Sequence, residues 1–443
     1  VITVHAGTYR NCINLPRGGE SDAKSIVYQA SQGEKVENKD SEIMNNWVKV
    51  QDDVLKVALS SKTRQAAHQK PDAVPYGTLQ PPQGIKPAQT RGWFPWDPKG
   101  VKFPAQTWTP EERQMYEARV KWFHEAKYGL MFHFLAFGER SQAGRKGFRP
   151  TEADWTSERW NQVVDDVDVE KVADQAQELG VGYVILTLGQ NHKYACAPNP
   201  VIDELWGLKS GQYNARRDLP MELGHALAKR DISLMLYIVA GGHRLPNPAG
   251  WTDADFHKNW LKVVRWYSNH YGTLCKGWWV DGLGTRDPNH KEVKWRQDYC
   301  GSFVHALRHG NPDTIVTSAI YGISDVIHGH CINVDWDKQH TIVKPFFGRW
   351  DPDSKIQWHV LQYLGSYWGA IDTPKQTADL VAYGVDVVRG GGVFTFDVGC
   401  YNLVNGKTVP CLEIPPQQMA QLRAVRDAIK SIPPSDGSGV AEQ

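Results

Sequence analysis

The sequence has no excess of either charge. Its 443 residues carry 50 Lys and Arg against 49 Asp and Glu, a formal charge of +1. No global field therefore recommends nucleic acid or an anionic membrane surface as a partner. It also lacks any apolar run near the ~18 residues that a membrane span needs, so no span is expected. Its seven cysteines, Cys12, Cys196, Cys275, Cys300, Cys331, Cys400 and Cys411, include no CxxC pair. Closely paired thiolates are the usual mark of a structural zinc site, so no metal is expected. Cys400 and Cys411 flank a short loop at a spacing compatible with a bridge in an oxidising compartment, and equally with free thiols. No Asn-x-Ser/Thr sequon occurs, which gives no support to a glycosylated secreted protein of eukaryotic type.

What the sequence does have is tryptophan, 18 of them. The indole N–H needs a partner when buried, and its flat face suits a sugar ring, so this abundance fits either a bulky core or a glycan-binding surface. Three zones follow along the chain. Residues 1–60 are polar and β-leaning, with VITVHAGTY, SIVYQA and DDVLKVAL between turn residues. Residues 61–110 are rich in Pro, Gln and Lys and read as an extended linker. Residues 111–433 alternate apolar strands with amphipathic helices, and 434–443 form a polar tail.

That alternation sets the fold class. YGLMFHFL, GYVILTLG, SLMLYIV, KGWWVD, TIVTSA and GVFTFDV are continuous apolar runs, as parallel strands covered on both faces require. VEKVADQAQELG places Val169, Val172, Ala173, Ala176 and Leu179 at helical spacing and ends on a glycine cap. With CINVDWD (331–337) and IQWHVLQYL (356–364) as the sixth and seventh units, about eight repeats are present. The expected architecture is an α/β (β/α)8 TIM-like barrel with a small β-rich segment before it. An open doubly wound sheet is disfavoured, since no Gly-rich phosphate fingerprint follows its first strand, and no cofactor is expected.

Such barrels place their chemistry at the C-terminal ends of the strands. Asp281 is the last residue of KGWWVD and is followed by glycine. A lone Asp-Gly pair is usually only a turn. Here His133, Gln190, Asn191, Asp335 and Asp397 also fall at or just past strand ends. Polar groups converging on one rim suit a glycan site. His133 could instead be a satisfied core histidine, and of Trp278 and Trp279 one should pack outward under a helix.

Across roughly 115–433 these segments resemble the alpha-L-fucosidases of glycoside hydrolase family 29. WFHEAKYGLMFHFLAFGE is similar to that family's opening strand, and ELGVGYVILTLGQNHKYACAPN to its second-strand motif. RRDLPMELGHALAKRDISLMLYIV resembles its helix and third strand. HYGTLCKGWWVDG resembles the stretch carrying its nucleophile, and VRGGGVFTFDVG its closing strand. The resemblance implies a secreted or periplasmic glycoside hydrolase acting with retention on fucose-containing or related oligo- or polysaccharides. It makes Asp281 the nucleophile, and it marks His133, Gln190, Asn191, Tyr194, Trp279, Asp335 and Trp358 as substrate-binding. Residues 1–60 resemble the opening rungs of secreted right-handed parallel β-helices, which need stacked neighbours to bury a core.

The sequence also departs from the family. The paired histidines of the second motif fall on Gln190 and Asn191, with His192 one place further on, and no Glu occurs between Glu292 and Glu413. The usual acid/base carboxylate is therefore missing. Where the family often has Trp-Glu, this chain has Trp358-His359. A histidine near a carboxylate can donate to a leaving group and later accept a proton from water, as related endo-acting fucoidanases are thought to do. His359 is the expected acid/base, with Asp335 and Asp337 as alternatives. The missing Glu equally suits a carbohydrate-binding barrel without activity, and the N-terminal strands a structural or assembly protein.

Overall fold

Strands with no polar face line the centre of the protein. In the computed structural model, Tyr128–Phe132 (β1) and Tyr183–Thr187 (β2) are buried at every position. Ser233–Val239 (β3), Cys275–Asp281 (β4), Ile315–Ser318 (β5), His359–Tyr363 (β6) and Val393–Val398 (β7) complete a seven-stranded sheet. All neighbours run parallel, in the order β5-β4-β3-β2-β1-β7-β6. The structure describes residues 108–136, 155–282, 293–318, 324–329 and 348–433, apart from positions 191, 244, 246, 352–353 and 405–406, together with short strands elsewhere.

The order leaves one gap, between β5 and β6, where the sixth barrel strand belongs. CINVDWD does not fill it. Val334–Asp335 instead pairs antiparallel with Thr341–Ile342 in a separate two-stranded sheet. The gap is spanned by Val326, which makes a parallel bridge to Thr317 on one side and to Gln357 on the other. Hydrogen bonds from Asp325 N to Val316 O (2.8 Å) and Ile327 N to Gln357 O (2.9 Å) reinforce it. Followed once around this circuit from Tyr237, the pairings project onto position 229 of the same strand. That displacement of about eight residues is the stagger of a (β/α)8 barrel.

Helices pack around the sheet, the first of them with Phe123 against Tyr183 and His359 at the strands' N-terminal ends. Pro110–Ala126 (α1) opens with a capping box between Thr109 and Glu112, and Pro110 occupies the first turn, where no N–H is missed. Val169–Leu179 (α2) buries the stripe Val172, Ala173, Ala176 and Leu179 and ends at Gly180 in the left-handed region (φ 69), as the sequence pattern led us to expect. Leu219–Ala228 (α3), Asp253–Tyr271 (α4), Val293–Arg308 (α5), Thr377–Arg389 (α6) and Pro416–Lys430 (α7) continue the ring. No helix among the described residues is long and apolar enough to cross a membrane.

Inside the barrel, residues two apart share the inward face. Gly129 leaves room for the ring of Tyr183, whose carbon atoms would lie 2.3–2.5 Å from an added Cβ. The Tyr183 hydroxyl passes over Gly129 to Thr395 Oγ1 (2.7 Å) on the far side of β1, and Thr395 also contacts His359 Nε2 (2.8 Å). One layer higher lie the polar groups of the mouth.

The chain divides into the compact units Val1–Val74 and Pro75–Gln443. In the first, Ile2–Val4 pairs in parallel with Tyr28–Ala30 and Gly7–Tyr9 with Val36–Asn38, the relation that successive β-helix rungs have, while Val48–Gln51 and Val54–Lys56 form a hairpin. The expected linker at 61–110, as far as position 107, and the tail at 434–443 lie outside the described residues.

Candidate active site

Asp281 ends β4, and Gly282 turns the chain away with φ +68, a conformation natural to glycine. The carboxylate is partly exposed. Tyr237, inward-facing on β3, donates its hydroxyl to Asp281 Oδ2 at 2.7 Å, and the Gly282 amide donates to Oδ1 at 2.7 Å. Each oxygen thus has one neutral donor, and among the described residues no cation neutralises the group. Each retains lone pairs for a further partner. Ala240 N donates to the Asp281 carbonyl at 2.8 Å, fixing the strand end from behind.

A buried pair faces this group across the mouth. His133 Nδ1 lies 2.5 Å from Asp397 Oδ1, with both side chains almost wholly enclosed. Burial pushes the Asp397 carboxyl up from its ordinary value, and neighbouring His133 opposes the shift. Asp397 Oδ2 accepts the Gly369 amide, so this carboxylate holds loop backbone. The His133 ring packs 5.7 Å from Tyr237 and 5.3 Å from Trp368. The His133 carbonyl accepts from Tyr401 Oη (2.9 Å) and Cys400 Sγ (3.1 Å). Cys400 and Cys411 are free thiols that face each other across the hairpin of Tyr401–Val404 and Lys407–Pro410, with Cys411 N on Cys400 O at 2.8 Å.

The expected acid/base is in the wrong place. His359 is the first residue of β6, so it sits a layer beneath the mouth rather than at the C-terminal rim with Asp281. It is 0 % exposed. Its Nδ1 donates to the Ile327 carbonyl (3.1 Å) and its Nε2 meets Thr395 Oγ1 (2.8 Å). Burial lowers its pKa to about 3. It is a neutral brace of the barrel interior.

This yields a prediction. In an unfolded chain the imidazole takes up a proton near pH ~6.5, whereas in the fold it does so only near about 3. The unfolded state therefore binds more protons in between, and stability falls as pH drops from ~6.5 toward 3. His359→Gln is expected to lose up to one proton's worth of that acid slope in urea titrations, while turnover stays within about fivefold. An unchanged slope would refute the assignment.

The other expected residues divide. Gln190 follows β2 at the rim, and its Oε1 has no partner among the described residues. Tyr194 is 2 % exposed and donates its hydroxyl to the Trp155 carbonyl (3.0 Å), so it braces the loop instead of meeting ligand. His192 likewise packs inward, its Nδ1 accepting the Tyr194 amide at 3.2 Å. Trp279 and Trp358 are 2 % and 4 % exposed, so neither offers a face for stacking. Trp279 faces the lumen against His359, and Trp358 packs under Gly392. Trp278 is buried on the opposite face of β4. Asp335 belongs to the separate two-stranded sheet, and Asn191 and Asp337 lie outside the described residues.

Two residues that the sequence reading passed over stand at the mouth. Tyr237 was hidden as one apolar letter in SLMLYIV, although period-two counting puts it on the lumen face with Val239. His328 follows the Val326 bridge and is partly exposed, with its ring 4.4 Å from that of Trp279. Trp279 is two residues before Asp281 on the same face of β4, so the His328 imidazole and the Asp281 carboxylate share one side of the mouth.

No family model matches the chain, and no curated protein does. Solved structures do. An endo-fucoidan hydrolase of glycoside hydrolase family 107 superposes with a TM-score of 0.52 at 15% identity, covering 71% of this chain and 54% of that one. An alpha-L-fucosidase of family 29 from Bacteroides thetaiotaomicron gives 0.51 at 15% identity, covering 74% and 76%. Alpha-L-fucosidase isoenzyme 1 from Paenibacillus thiaminolyticus gives 0.51 at 18%, covering 71% and 76%. This chain thus spans about half the length of the endo-fucoidan hydrolase. At these identities the likeness is one of fold, and it is the fold that the sequence motifs led us to expect.

Proposed function

We propose that this protein is a retaining glycoside hydrolase acting on fucose-containing or related glycans, with Asp281 as nucleophile and His328 as acid/base. One observation carries the reading. A partly exposed carboxylate at a strand's C-terminal end is aimed by two neutral donors and has no cation against it among the described residues. A structural carboxylate would be paired; this one is oriented and left reactive.

In the first step a carboxylate oxygen of Asp281 bonds to the sugar's anomeric carbon as the bond to the leaving oxygen breaks. Protonated His328 gives its proton to that oxygen. In the second step water attacks the same carbon, its proton passes to neutral His328, and the bond to Asp281 breaks. Tyr237 and the Gly282 amide hold the carboxylate by one hydrogen bond to each oxygen, and either oxygen keeps a lone pair for attack. The unpartnered Gln190 Oε1 would accept a sugar hydroxyl.

Leaving-group dependence tests the pair of roles. His328→Gln is expected to lower kcat/KM on fucosides with poor leaving groups by about 10²–10⁴-fold, the usual weight of a general acid. Dinitrophenyl fucoside, whose leaving group needs no proton, should lose less than about tenfold in its first step. A uniform loss across leaving groups would remove His328 from the acid/base role.

A further inference from the structure

Among the described residues only Met115 and Tyr367 are large hydrophobic side chains with substantial exposure, 61% and 37%. Met115 lies on α1. Tyr367 lies in the loop after β6, and the next two residues, Trp368 and Gly369, touch the buried His133–Asp397 pair. It is the outermost member of an aromatic cluster. Its ring centroid is 5.8 Å from Tyr363 and 6.5 Å from Trp368, and Trp368 is 5.3 Å from Tyr363 and from His133.

The loop that presents this cluster is tied down on every side. Gly369 N donates to Asp397, Leu364 N to Asp397 O (2.8 Å) and Ser366 N to Asp372 Oδ1 (2.8 Å). Lys375 caps the Leu364 and Gly365 carbonyls and lies 4.4 Å over the Tyr363 ring. Gln418 donates to the carbonyls of Ala370 (2.7 Å) and Asp372 (2.9 Å). An exposed tyrosine is entropically costly to hold still, and here the holding is already done by the fold.

From these contacts we infer that Tyr367, backed by Tyr363 and Trp368, is a stacking platform for a second sugar ring linked to the one at Asp281. The contacts run unbroken from Tyr367 through Trp368, His133 and Tyr237 to Asp281, so the platform continues the catalytic mouth. The apolar face of a pyranose suits a rigid aromatic surface whose hydroxyl can also bond at its edge. The substrate class is then an oligosaccharide or polysaccharide, not a simple glycoside. This inference rests on the glycosidase reading.

The test compares two donors. Alpha-L-fucosyl fluoride carries no second ring, whereas a fucoidan-derived tetrasaccharide does. Tyr367→Ala is expected to lower kcat/KM on the tetrasaccharide about tenfold and on the fluoride less than twofold, with Tyr367→Phe near wild type on both. Equal effects on the two donors, or none on the tetrasaccharide, would overturn the platform while leaving the hydrolase intact. Should wild type turn over neither, the hydrolase reading fails and calorimetric binding of the tetrasaccharide decides the platform. A tenfold weaker affinity in Tyr367→Ala sustains it; equal affinity, or no binding by wild type, ends it.

Discussion

Asp281→Asn is expected to reduce kcat by about 10⁴-fold or more on every fucoside, whatever its leaving group, equivalent to about 5.5 kcal/mol of barrier. The amide cannot form the covalent bond to carbon that the proposed first step requires, so a better leaving group brings no recovery. That uniformity separates it from His328→Gln, where the loss should track leaving-group basicity. The fold should tolerate the change. Asn still offers one oxygen to Tyr237, and the Gly282 amide at the partly exposed loop start can turn to water. A melting temperature within a few degrees of wild type, with turnover absent, is the expected pair of results. Glycan binding without turnover in wild type and variant alike would favour the non-catalytic carbohydrate-binding barrel.

Asp325→Ala should be the most destabilising polar substitution in the barrel, by about 3–5 kcal/mol. The buried Asp325 carboxylate accepts the Val316 amide at 2.7 Å and contacts Arg308 through the same oxygen. Its other oxygen meets Arg119 at 3.1 Å, and its carbonyl accepts Tyr116 Oη at 2.7 Å. Removing it leaves Arg308, 9% exposed at the side chain, without its carboxylate and Val316 N without its acceptor. Both belong to the seam that Val326 closes. Urea unfolding measures the loss, and Asp325→Asn, which keeps an acceptor for Val316, should fall between wild type and Ala. A loss below about 1 kcal/mol in the alanine variant would show that the seam does not depend on this carboxylate. Because the same segment delivers His328, turnover should drop along with stability.

These two sites differ in how far the sequence revealed them. Asp281 could be placed at a strand's C-terminal end from its continuous apolar run, although its Asp-Gly pair alone reads as a turn. The α2 helix was legible from its spacing and its Gly180 cap. The sixth strand was not. CINVDWD has the β-branched look of a strand, but the barrel uses Asp325–Ile327, too short to show any periodicity and recognisable only through what the Asp325 side chain does for its neighbour's backbone. His359 was misplaced for a related reason. Matching Trp358-His359 to a Trp-Glu pair fixed its letter, whereas its height is fixed by where β6 begins, and a strand's first residue lies far from the rim that carries chemistry. Tyr237 and His328 have no motif at all; only the closed circuit of strands brings Tyr237 onto Asp281 and His328 onto its neighbour Trp279.

The bond from Tyr183 across to Thr395 and His359 sets a floor. Tyr183 and His359 begin their strands and pack on Phe123 of α1, so side chains fill that end and a guest can approach only from the rim that carries Asp281.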